Sequence, residues 1–224
     1  MTGISPGRLP ALRTKETSTM MRISASILAS VMFAALISSS AAAQSVAEVQ
    51  LSQDQVVYEF VGQFNNNGAA SQQFGYLSKI NGLDGIFSDE PENEATALFT
   101  FVTNANTDRV IVDGPFKIVN RTGTTTIYLN TPPSDFSNPA TFSQGTPIQV
   151  SDYRQQVIVN TVTNSFQTEH TNTVTSSKSF SLNGNTYRLG RLGAAFRTNY
   201  SGQVNPTAPP SGWFAGNAVG IKKP

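Results

Sequence analysis

His170 is the one histidine of the chain, and it follows Glu169 in a stretch rich in Thr and Asn. General-base or metal-ligand chemistry built on it must recruit partners from elsewhere in the fold. With no Cys and no second His, a zinc site lacks ligands. The chain also lacks a Gly-x-Ser-x-Gly turn, so no serine nucleophile is marked. The simpler reading of His170 is a surface or pairing residue.

Asp84, Asp89, Glu90, Glu92 and Glu94 crowd five carboxylates into one short stretch. Calcium takes six to eight oxygen ligands, and Asp84, Asp89 and Glu92 are the candidate ligands for it. The spacing follows no EF-hand pattern and Pro91 interrupts it, which favours a solvated acidic loop. Arg188 and Arg191, beside Tyr187 and Arg197, form a second cluster and could bind an anionic ligand through their guanidinium groups. On an extended strand, however, Arg188 and Arg191 fall on opposite faces, so ordinary surface arginines are the plainer reading.

These residues need a scaffold, and the N-terminus comes off first. Met20-Met21-Arg22 precedes an apolar run from Ile23 to Ile37, and small residues follow to Ala41-Ala42-Ala43. The run is shorter than the roughly 20 residues of a membrane-spanning helix, and the ending suits signal peptidase. Residues 1–43 therefore read as an N-terminal extension plus a cleavable secretory signal peptide, with cleavage between Ala43 and Gln44. Translation from Met20 or Met21 fits the same pattern. A secreted or periplasmic destination follows.

Four of the 15 basic residues and one of the 14 acidic ones precede Gln44, leaving 11 against 13 in the mature chain. Its slightly negative charge gives no reason to expect nucleic acid. Without Cys there are no disulfides, so burial and hydrogen bonding must hold residues 44–224 together, here expected as one domain. No transmembrane helix and no cofactor are expected in it.

Strand signals dominate: short alternating runs of β-branched and aromatic residues lie between Gly, Asn, Asp and Pro. Over Val56–Phe64, Tyr58, Phe60, Gly62 and Phe64 share one face, with Val57, Glu59, Val61 and Gln63 opposite. Ala95–Thr103 and Arg109–Val112 read as two strands joined by turn residues 104–108. Phe116–Arg121 and Thr124–Leu129 read as another pair turning at Thr122-Gly123. Asn183-Gly184 marks a type I′ hairpin. Short helical turns are expected near Ser71–Leu77 and Ser134–Phe142. Gly212, Gly216 and Gly220 leave one face of the last strand nearly bare, suiting close packing or barrel closure. About nine to eleven strands predict an all-β fold, a single antiparallel β-barrel or β-sandwich.

Two functional classes fit. The first is a binding or structural module without cofactor, whose partner is a small apolar ligand or a cell-surface component. The second is a cofactor-independent lyase, isomerase or cyclase acting on an apolar substrate inside a hollow barrel, with Glu59, Tyr58 or an arginine for the proton or charge work. In either case Tyr58, Phe60, Phe99 and Phe101 would line a cavity, although the same side chains fill a solid core equally well, and a solid core is the expectation. A small outer-membrane barrel is a further alternative, since its alternating strands look similar.

Overall fold

The structure, a computed structural model, describes residues 46–49, 55–131, 133–207 and 209–221. The expected extension, signal peptide and Ala43/Gln44 cleavage site lie outside the described residues. Eight strands close an antiparallel barrel: β2 (Val56–Asn67), β3 (Ala70–Ile80), β4 (Phe99–Asp113), β5 (Phe116–Leu129), β6 (Thr146–Asn160), β7 (Ser165–Ser177), β10 (Ala195–Asn205) and β11 (Ser211–Ile221). Each pairs with the next, and β11 returns to β2. Closure gives every barrel strand a partner on both sides. Between β7 and β10, the hairpin β8 (Ser179–Leu182) and β9 (Asn185–Leu189) joins the short parallel strand β1 (Ala47–Val49) in a second sheet.

The Asn183-Gly184 turn has positive φ at both residues, 49° and 78°, as a type I′ turn requires. Elsewhere the strands are longer than local turn residues suggest. Residues 104–108 do not turn but continue β4 to Asp113, with a register shift between Thr107 and Arg109, and Thr122-Gly123 runs straight through β5. The four expected short strands are thus one long hairpin, turning at Gly114 with φ 57°. Gly123 serves close approach rather than a turn: a Cβ there would come within 2.2 Å of the Asn104 carbonyl oxygen. Ser71–Leu77 is not helical but lies inside β3, where pairing on both sides outweighs local preference. Near Ser134–Phe142 there is one 3₁₀ turn, Pro139–Ser143, and Phe142 beneath it packs on Phe74.

The tight turns β2–β3, β4–β5, β6–β7 and β10–β11 gather at one end of the barrel. At the other end β8, β9 and the loop after β3 seal the interior, with Phe180 edge-on to Phe99 at 5.4 Å and Leu189 fully buried. Above that plug, Phe60 makes edge contacts with Phe101 and Tyr200, both at 5.8 Å. The bare face of β11 seats rings from its neighbours: a Cβ on Gly212 would meet the Phe64 ring at 2.7 Å.

The outer face carries charge in mid-strand, including Asp152 and Arg154 on β6 and the Glu169–Arg197 ion pair between β7 and β10. A lipid-spanning barrel needs an outward apolar band about 25 Å tall. These strands carry polar and charged side chains there instead. Exposed apolar side chains cluster at the tight-turn end, among them Val112, Phe116 and Val162.

Candidate functional site

Inside the barrel, polar side chains form a girdle because strand register sets them side by side. Arg121 on β5 lies opposite Gln155 on β6, Gln155 opposite His170 on β7, and His170 opposite Thr198 on β10. Alternation turns all of them inward. Tyr200, two residues beyond Thr198, reaches the centre. Its hydroxyl donates to Gln73 Oε1 at 2.7 Å and accepts from Gln155 Nε2 at 2.8 Å.

His170 Nε2 stands 2.9 Å from the same hydroxyl. Since the one phenolic proton goes to Gln73, His170 must donate from Nε2, which assigns the neutral Nε2–H tautomer. Burial, with a smaller contribution from the Arg121 charge, pushes the His170 pKa down to about 3. Tyr153 stacks on the imidazole at 4.5 Å and 9° between planes. Burial raises the phenols of Tyr153 and Tyr200 above their ordinary range, so both stay neutral at any physiological pH.

The interior is not solid. Above the girdle a cavity of about 340 Å³ extends to the tight-turn end. Its walls are apolar, with Phe64, Phe166, Val157 and Val204, and its floor is polar, with Gln73, Gln155, Tyr200 and Arg121. No Asp or Glu lines it among the described residues, whereas Arg121 and Lys117 both do. Arg121 contacts only neutral acceptors, Thr107 Oγ1 at 3.3 Å and Asn66 Oδ1 at 3.4 Å. Two buried oxygens of the lining, Gln155 Oε1 and Ser71 Oγ, have no hydrogen-bond partner among the described residues. Below the girdle a void of about 30 Å³ is large enough for a water molecule.

The aromatic residues expected to line a cavity sit lower. Tyr58, Phe60 and Phe101 border the small void, and Phe99 belongs to the sealed plug. Tyr58 is buried and its phenol is raised by desolvation alone. Glu59 points out of the barrel, half exposed and 3.8 Å from Lys79. A carboxylate on the outer face cannot act on a substrate inside, so the expected proton-transfer role of Glu59 has no geometry to support it. Exposed pairs of this kind contribute little. Glu59→Gln is therefore expected to change stability by less than about 0.5 kcal/mol in thermal unfolding.

The other expected clusters do not assemble. Asp84, Asp89 and Glu92 are exposed in the loop after β3, and no group of three acidic or histidine side chains gathers around a metal-sized gap among the described residues. Arg188 hydrogen-bonds Ser179 Oγ across the β8–β9 hairpin, and Arg191 stands exposed beyond β9, so the two do not converge. His170 is a pairing residue, buried rather than at the surface.

Arg121, Gln155, Gln73 and Tyr200 are the interior residues that local reading passed over. One signal was available: in Tyr153–Val157 and Val119–Arg121 polar side chains alternate in phase with apolar ones, a pattern of an inward face that is wet in part. Comparison with protein-family models, with curated proteins and with solved structures finds no match for this chain, so the reading of the site rests on its own geometry.

Proposed function

We propose that the protein is a binding module that holds one small amphipathic molecule in the open half of the barrel. The observation that carries this is the cavity of about 340 Å³, which has apolar walls, a polar floor and access from one end. Ligand sites occupy about 300 to 1,000 Å³ and combine apolar lining with a few convergent polar groups, so the cavity falls at the small end of that range. In this reading the chain is exported by the signal at residues 1–43 and meets its ligand outside the cytoplasm. A binding role fits the lining better than proton-transfer catalysis, because no Asp or Glu among the described residues borders the cavity.

The neutral fluorophore N-phenyl-1-naphthylamine provides the test. The purified protein is expected to bind it saturably at one site with enhanced emission. Val204→Trp, which points a large ring into the cavity, is expected to suppress that binding, while Gln203→Trp on the outward face of the same strand leaves it intact. Binding unaffected by Val204→Trp, or no saturable binding at all, would sink the proposal.

A further inference from the structure

Resting on the cavity reading above, we propose that the ligand is an amphiphile with a carboxylate head, seated head-inward on Arg121. The apolar chain then runs outward between Val159, Val204 and Phe166 toward the open end.

The charge follows from what Arg121 lacks. Its guanidinium is mostly withdrawn from solvent, and desolvation already lowers its pKa. A cation in such a place is held by a partner anion or by well-formed hydrogen bonds. Arg121 has only two long contacts to neutral oxygens, it makes no ion pair among the described residues, and its other N–H groups are unpartnered beside the cavity. A carboxylate can accept two of those donors in parallel. Lys117, nearer the mouth, adds attraction of the same sign, and no lining carboxylate opposes it.

Calorimetric titration of the purified protein with three ligands of one chain length, decanoate, 1-decanol and decyltrimethylammonium, decides it. Decanoate is expected to bind about tenfold or more tighter than 1-decanol, the margin of a charged hydrogen bond over a neutral one, and the cationic ligand weakest. Arg121→Gln should weaken decanoate at least about tenfold while leaving 1-decanol unchanged, and Arg121→Lys should restore part of the loss. Equal affinity for decanoate and 1-decanol in the wild-type protein overturns the carboxylate assignment whatever the variants do, and leaves the cavity reading standing. Failure of all three to bind, together with an unaffected Val204→Trp in the fluorophore assay, overturns both this inference and the reading on which it rests.

Discussion

Between pH 6.5 and pH 4.5 the wild-type protein is expected to lose about 2 kcal/mol of unfolding free energy that a His170→Asn variant retains. His170 is held neutral in the fold, with its pKa lowered to about 3 against an ordinary 6.5. In this window the unfolded chain takes up a proton that the folded chain refuses. The unfolded state therefore binds more protons, and stability falls as pH falls, by up to about 1.4 kcal/mol per pH unit. The groups facing the imidazole explain the refusal: Tyr200 accepts its Nε2–H, Tyr153 covers its ring, and Arg121 adds positive charge nearby. Asn keeps a donor of similar reach but does not titrate. Carboxylates that titrate near the lower end of this range also shift stability, although Asp135, whose hydrogen bonds from Ser137 lower its pKa, keeps its charge. They do so equally in both proteins, so the difference between the two urea-denaturation series isolates His170. Parallel pH profiles for wild type and variant would refute the buried neutral histidine.

Tyr200→Phe is expected to cost about 3 kcal/mol in the same measurement, with an unchanged denaturant slope. The substitution keeps the ring, which packs on Phe214 at 4.6 Å and edge-on to Phe166 and Phe60, so no cavity term enters. What is lost is the single oxygen that joins Gln73, Gln155 and His170. A buried polar group deprived of its partner costs about 1–3 kcal/mol. Gln73 and Gln155 border the open cavity and can turn to water, so their share falls at the low end. His170 borders only the small void of about 30 Å³ and not the open cavity, so its Nε2–H carries the greater part. A second readout separates this from a general loosening: the slowly exchanging Nε2 proton of His170, expected by NMR in the wild type, should disappear in Tyr200→Phe while core methyl shifts persist. A loss below about 1 kcal/mol would mean that the hydroxyl does not organise the girdle.

Local chemistry determined much of this molecule. Alternation in Val56–Phe64 is enough to send Tyr58, Phe60 and Phe64 inward and Glu59 outward, because successive side chains leave a strand on opposite faces. Asn183-Gly184 makes its hairpin unaided, as both positions tolerate positive φ. Turn residues and β-branched runs likewise mark an antiparallel all-β chain. What they could not determine was where a strand stops. Asn104–Asp108 and Thr122-Gly123 look like turns in isolation, yet pairing of β4 with β5 carries both through as strand. Nor could they show which polar residues meet. Arg121, Gln155, His170 and Tyr200 are spread over four scores of positions, and only register and closure set them around one hydroxyl. A one-residue slip in any pairing would turn that strand's polar residues to solvent. The cavity has the same origin: the sealed end is filled by rings brought in from β8 and the loops, while the tight-turn end has no such insertion, so the barrel there stays open.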